Sequence, residues 1–319
     1  MKKISSQLED LPNELLTDIF KYLDARDLFR SFSNLNFRLD RLIRSFDYLQ
    51  LHFHLHTTNA TKINEEPFPF YVYSLLVDPW ININLHRFQN VRRLKLNSPL
   101  PHILEQLKPE SMPFLEYLSV SYIYNMYEIV LLHDKIFSNR FQHLSACELL
   151  ENESPMTIQH WQPSPSIRTL KIELIDAEIF SIILSACPNL SVLKFSMLTK
   201  SIPSKMGPIH LNLERIVVEL RDSDWLFDDL NFSQYLVCVP NLKRLEILRR
   251  RYPSHIDQYD WFHTIRKRCL PSLLDFSFSI QSPSDDSNFA LFDERLQQTF
   301  QQEFLRLHSD LNFARLKFH

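Results

Sequence analysis

Of 319 residues, a single one is glycine, Gly207. Phosphate loops, dinucleotide-binding turns and the nucleophile elbow of hydrolases each need several glycines, to reach positive φ or to let backbone approach a ligand. None can be assembled here, which excludes most nucleotide-dependent and serine-hydrolase chemistries. Cysteine is also scarce: Cys147, Cys187, Cys238 and Cys269 are too far apart to match a zinc-ligand pattern. Three of them (Cys187, Cys238 and Cys269) stand one or two residues before a proline and read as small packing residues, compatible with a reducing compartment. No apolar run approaches the ~18 residues of a membrane helix. The opening MKKISSQLEDL has no apolar segment ahead of Glu9 and Asp10, so no secretory leader is expected. A formal charge of −3 exerts no whole-chain pull toward nucleic acid or an anionic membrane. A soluble chain of the cytoplasm and/or nucleus is expected, with neither nucleic acid nor membrane as partner.

Apolar side chains, by contrast, are plentiful: 45% of residues are hydrophobic and 25 are phenylalanine, enough for a substantial core. They recur in an apolar-x-x-apolar-x-apolar pattern, as in Val72-x-x-Leu75-x-Val77, Val91-x-x-Leu94-x-Leu96 and Leu115-x-x-Leu118-x-Val120. Further units start at Leu144, Ile167, Leu190, Leu213, Leu242 and Leu273, with Cys147 where the first of these expects leucine. A proline lies two residues before the leading apolar at Pro113, Pro165, Pro188, Pro240 and Pro271. Proline ends a helix and biases its neighbour toward extended backbone, so each unit reads as helix, corner, short strand. Segments such as Asp176 to Cys187 and Ile256 to Cys269 carry apolar residues at helical spacing. Residues 287 to 309 read as a closing helix. A strand-plus-helix unit cannot bury its apolar side alone, so such units stack. The pattern over about residues 70 to 280 resembles the leucine-rich-repeat family, in its longer-helix variety, without the asparagine that usually follows the strand. The expected fold is α/β: a parallel sheet with outer helices in a leucine-rich-repeat-like solenoid.

The stretch LEDLPNELLTDIFKYLDARDLFRSFSNLNFRLDRLI, residues 8 to 43, is different. Pro12 suits the first turn of a helix, and Glu14 puts a negative group at its positive end. Leu11, Leu15, Leu16, Ile19, Phe20, Tyr22 and Leu23 cover about half the circumference of that helix, more than one core-facing stripe requires. Asp24 and Asp27 open a second short helix with Leu28, Phe29 and Phe32; Leu35, Phe37, Leu39, Leu42 and Ile43 supply a third. Three such helices packed together keep apolar surface to spare.

Leu11-Pro12-x-Glu14-Leu15-Leu16-x-x-Ile19-Phe20-x-Tyr22-Leu23, followed by Asp27-Leu28, resembles the F-box. The resemblance implies a three-helix domain, residues 5–48, docking onto the Skp adaptor of cullin–RING ubiquitin ligases. It assigns adaptor contacts to Leu11, Pro12, Glu14, Leu15, Leu16, Ile19, Phe20 and Leu28. Where the family's third helix commonly has valine-cysteine-x-x-tryptophan, this chain reads Leu35-Asn36-Phe37-Arg38-Leu39, with Phe37 and Leu39 expected to fill the same space. Residues 49–319 would then form the repeat domain that binds a protein substrate. The implied function is the substrate-recognition subunit of an SCF-type (Skp–cullin–F-box) ubiquitin ligase.

The outward positions of the repeat strands point to the substrate face: Arg93, Lys95, Tyr117, Lys171, Lys194, Arg215 and Arg244 make it basic toward its middle, with Glu173 and Glu219 interspersed, which suits an acidic or phosphorylated segment. Arg249-Arg250-Arg251 and Arg266-Lys267-Arg268 read as a solvated helix end and loop. In Leu51-His52-Phe53-His54-Leu55-His56 the histidines share one face of a strand, about 7 Å apart. Two or three could hold zinc, but no nearby cysteine completes a set, and the preferred reading is an exposed face with Leu51, Phe53 and Leu55 inside. No catalytic set is legible. No catalytic residue, cofactor or metal is therefore expected, and the chain reads as a binding module rather than an enzyme. The alternatives are a non-ligase F-box scaffold, or a metal-dependent enzyme built on the 52–56 histidines.

Overall fold

Parallel strands in chain order dominate the computed structural model, which describes residues 8–23, 25–33, 35–45, 51–56, 69, 72–123, 125–151, 161–175, 177–197, 207–220, 236–249, 270, 272–280, 298, 302 and 314–318. Two units, Met1–Ser119 and Val120–His319, are described in turn.

The first unit begins with three helices of eight residues each: α1 (Asn13–Phe20), α2 (Ala25–Phe32) and α3 (Phe37–Arg44). From sequence, Pro12 is expected inside the first turn of α1; it stands one residue earlier, as the N-cap, with φ −56° and ψ 153°. Its fixed φ leads the chain into the helix, and Glu14 lies in the first turn. At the start of α3 the Asn36 side-chain oxygen accepts from the Leu39 amide at 2.8 Å, satisfying one donor that a helix start leaves orphaned. Arg38 joins the two helix starts. Its Nη2 donates to the Leu11 carbonyl at 2.6 Å and its Nε to Asn13 Oδ1 at 3.0 Å. Leu16, Phe20, Leu28, Phe29, Leu39, Leu42 and Ile43 are buried, and the Phe20 and Phe32 rings meet at 4.8 Å.

Strands β1 (Leu51–Leu55), β2 (Val72–Val77) and β3 (Arg93–Asn97) follow, paired parallel. Their register aligns Phe53 with Leu75 and Leu94, and Leu55 with Val77 and Leu96; all six are buried. Alternate residues therefore face a common core while the histidines of β1 stay outside, as period-two geometry dictates. Helix α4 (Pro101–Gln106) follows β3, and Gln106 stitches it to the segment before β3. Its Oε1 accepts from the Leu85 amide (2.7 Å) and its Nε2 donates to the Ile83 carbonyl (3.1 Å).

The unit boundary falls within β4 (Tyr117–Ile123). In the second unit helix α5 (Met126–Ile136) is followed by β5 (Ala146–Glu151), β6 (Thr169–Ile175), helix α6 (Ala177–Ala186) and β7 (Val192–Met197). Then come β8 (Arg215–Leu220), β9 (Arg244–Arg249), β10 (Asp275–Ile280) and β11 (Ala314–Phe318). Strands β5 to β11 pair parallel, each with the next in sequence. Two apolar columns result: Cys147, Leu170, Leu193, Ile216, Leu245 and Phe276 form one. Leu149, Ile172, Phe195, Val218 and Ile247 form the other. Every member is buried.

In seven of the nine units the leading apolar residue closes a tight turn. Its amide donates to the carbonyl three residues back at Val91, Leu115, Leu144, Ile167, Leu190, Leu242 and Leu273. One carbonyl per unit then accepts two successive amides from the next: Ser145 from Arg168 and Thr169, Arg168 from Ser191 and Val192, Ser191 from Glu214 and Arg215. Asparagines add a side-chain ladder, with Nδ2 of Asn189, Asn212 and Asn241 donating to the carbonyls of Pro165, Pro188 and Leu211 at 2.9, 2.9 and 3.0 Å. The repeat thus uses an asparagine, but ahead of the leading leucine rather than after the strand.

Helix α6 lies within the segment expected to be helical. The helices expected at 256–269 and 287–309 fall outside the described residues, apart from helical Gln298 and Gln302. Strand β11 has no counterpart in the repeat pattern, yet pairs with β10 from Phe276↔Ala314 to Ile280↔Phe318. Arg249, expected at a helix end, closes β9 instead.

Candidate functional site

Helix α1 divides the expected adaptor contacts by face. Leu16 and Phe20 are fully buried, as is Leu28 of α2; these three hold the helices together. Leu15 is 51% exposed and Ile19 37%, with Pro12 and Glu14 also exposed and Leu11 half-buried. The two faces alternate because Leu15 and Ile19 are four apart, as are Leu16 and Phe20, and neighbouring residues on a helix point about 100° apart. Exposed Tyr22, Leu35 and Phe37 enlarge the apolar surface of the helical segment; Phe37 is 81% exposed whereas Leu39 is buried. The pair expected to fill one space therefore splits, with Leu39 in the core and Phe37 in solvent.

The seven residues expected to bind substrate fall into two groups. In the first unit Arg93, Lys95 and Tyr117 gather: the Arg93 guanidinium lies 4.7 Å from the centre of the Tyr117 ring and Lys95 Nζ 5.8 Å from it. Such stacking leaves the cations solvated on one side and holds them in place. In the second unit a groove of about 450 Å³ is lined by Lys171, Lys194 and Arg215 together with Glu173, Glu219 and Glu246. Val217, in register with Lys194 on the outward face, adds an apolar side chain to the lining. Lys171 and Lys194 are register neighbours on β6 and β7, an arrangement of like charges that is unfavourable by itself. Arg215 Nη2 meets Glu246 at 2.8 Å, and Arg244 Nε meets Asp275 at 3.0 Å. The face is consequently mixed in charge rather than basic, because two of its four cations are engaged by carboxylates from the next strands. Tyr122, also in the lining, holds φ 60°. That left-handed conformation costs a non-glycine residue about 1–2 kcal/mol. Trp80, Ser98 and Asn139 share it, while Gly207 does not. Gly207 is needed for space: a Cβ there would sit 3.0 Å from Ser181 Oγ and 3.3 Å from its Cα.

The described cysteines are buried thiols. Burial pushes Cys187 up to about 12 and holds Cys147 well above the ordinary thiol value. Cys238 is raised by burial too, and donates to the Gly207 carbonyl at 3.4 Å. Cys269 lies outside the described residues.

The histidines of β1, His52 and His54, and His56 just after it part company. His54 Nε2 and His56 Nδ1 both donate to Asp78, at 2.6 Å to Oδ1 and 2.7 Å to Oδ2. His52 instead faces Tyr73, ring centres 6.4 Å apart. The His54 hydrogen bond, aided by that of His56, holds the Asp78 carboxyl below its usual range. Asp78 escapes a sequence search because only the β1–β2 register brings it beside residues 22 and 24 positions earlier.

Comparison with known families matches residues 8–33 to the F-box-like family. That span takes in α1 and α2. No curated protein matches the chain.

Proposed function

We propose that this chain is the substrate-recognition subunit of an SCF-type ubiquitin ligase, acting in the cytoplasm and/or nucleus. The F-box-like segment at residues 8–33 docks the Skp adaptor, and a leucine-rich-repeat-like sheet receives a protein substrate. The observation that carries the reading is the coincidence of that segment with exposed apolar side chains, Leu15 and Ile19, on the outer face of α1. F-box domains generally bind the Skp adaptor. Each fully buried Leu or Ile stabilises by roughly 1.5–3 kcal/mol, so covering what is still open on Leu15, Ile19, Tyr22 and Phe37 supplies several kcal/mol. Association costs on the order of 4–15 kcal/mol in lost freedom, so the polar rim, Glu14 included, and the remaining contacts must contribute as well.

Leu16, Phe20 and Leu28 support the adaptor face from within. Their part is to fix the spacing and angle of α1 and α2, so that the outer residues form one surface. On this reading the chain performs no chemistry. Its contribution is proximity, raising the effective concentration of a substrate lysine near enzymes that associate through the adaptor. The mixed charge of the groove in the second unit suits a segment carrying both charge signs and an apolar side chain that meets Val217.

Co-purification tests the reading. The full chain should recover the Skp adaptor and, through it, the cullin; Leu15→Asp with Ile19→Asp should abolish both while leaving the fold intact. Equal recovery by the two forms would remove the docking role.

A further inference from the structure

From the convergence of His54, His56 and Asp78, we infer a site for a divalent late-first-row cation, zinc foremost, at the end of the first two strands.

One ligand atom from each residue lies within 4.8 Å of the other two. The donors are two imidazole nitrogens and one carboxylate oxygen, a set that suits zinc, cobalt, nickel or copper rather than the all-oxygen preference of calcium and magnesium. Tetrahedral zinc with bonds near 2.0–2.2 Å separates its ligand atoms by roughly 3.3 Å. The two imidazole–carboxylate contacts of 2.6 and 2.7 Å need to open by only about 0.7 Å. In the unfilled site each ring gives an N–H to Asp78. On filling, that proton shifts to the other nitrogen of the same ring, and the freed lone pair turns to the cation. Two neutral imidazoles and one carboxylate leave a net charge of +1, and water completes the coordination on the open side.

Preorganisation distinguishes this set from a chance pair of surface histidines. His54 lies in β1 and His56 directly follows it, two residues on, so extended backbone brings both to one face. Their ring centres are 3.6 Å apart. Asp78 follows β2 directly, and its own amide donates to the Leu55 carbonyl at 3.0 Å. The Leu55↔Val77 pair, both residues buried, fixes that position. Backbone pairing, not side-chain chance, therefore holds the carboxylate within reach of both rings. His52 shares their face but turns to Tyr73, which makes it an internal control. This inference stands apart from adaptor docking, which uses α1 and α2.

The test is titration of the full chain with cobalt(II) alone, followed by its visible absorption, with zinc in competition. Wild type and His52→Ala should saturate at one equivalent, give the intense bands of a low-coordinate cobalt site and lose them to zinc. His54→Gln, His56→Gln and Asp78→Asn should each weaken cobalt binding by at least about tenfold, the lower end of what even outer-shell partners contribute. Zinc should also raise the unfolding temperature of wild type and not of Asp78→Asn, as ligand linkage requires. These side chains are partly exposed, and circular dichroism of each variant reports whether it folds. Unchanged binding in all three variants, loss of binding only in His52→Ala, or no cobalt bands in the wild type would overturn the site; the last outcome leaves a hydrogen-bonded His–Asp–His latch.

Discussion

Substituting alanine for Leu16, and separately for Leu15, places two neighbours of one helix on opposite sides of a large energetic difference. Leu16 has no exposed surface, and truncating a fully buried leucine costs about 2–5 kcal/mol, the spread reflecting how far the cavity collapses. Leu15 is 51% exposed. With about half its burial to lose, of roughly 1.5–3 kcal/mol for the whole side chain, its truncation costs at most about 1.5 kcal/mol. Alanine is the better helix former at either position, which trims both figures slightly and equally. Urea unfolding followed by circular dichroism reads the difference as a shift in midpoint at constant slope. Leu16→Ala should move the first transition far down in urea, and Leu15→Ala should barely move it. Adaptor affinity should show the converse for Leu15→Ala: intact fold, weakened binding. Equal destabilisation by the two substitutions would mean that Leu15 packs within this chain, and the free apolar face on which docking rests would not exist.

Gly207→Ala should destabilise by about 1–3 kcal/mol, the usual range for overpacking, because the added methyl meets Ser181 at 3.0–3.3 Å; thermal unfolding reads this, and Ser181→Gly in the same chain should recover part of the loss. Asn212→Ala removes the hydrogen bond to the Pro188 carbonyl and should cost about 1 kcal/mol, measured by the same unfolding experiment. Cys187 is raised to about 12 in the fold against an unfolded value near 8.5. The unfolded chain therefore releases this proton first: the stability linked to it is complete below about pH 8.5 and is lost as pH rises toward 12, by up to about 1.4 kcal/mol per pH unit. In a Cys269→Ala chain, a thiol reagent at pH 8 should label Cys147 and Cys187 only after denaturant is added. Rapid labelling of the native chain would contradict their burial.

Much of the fold was legible because period and punctuation agree. Each leading apolar residue quoted from the repeat pattern is buried, since a residue closing the turn into a strand has its backbone committed and its side chain directed inward. Cys147 occupies its column as a small apolar side chain, as the pattern required. The three N-terminal helices were legible too, but not which leucine faces which way: an apolar stripe half a circumference wide holds two faces, and only packing decides that Leu16 turns in and Leu15 out. Long-range pairs were the least visible. Asp78 joins His54 and His56, and Asp275 takes Arg244, through strand register, which a one-residue slip would abolish. The asparagine ladder does leave a signal, Pro188-Asn189-Leu190 and Pro240-Asn241-Leu242, on the opposite side of the strand from the asparagine usual in leucine-rich repeats.

Whether the outer face of α1 meets the Skp adaptor is tested most directly by site-specific photo-crosslinking. A photoreactive residue placed at Leu15 in the full chain, with another at Trp80 as a solvent-exposed reference in the same unit, is irradiated with purified adaptor. Leu15 should give a covalent adaptor adduct and Trp80 none. An adduct from Trp80 alone, or none from either position at saturating adaptor, would contradict docking through the F-box-like segment.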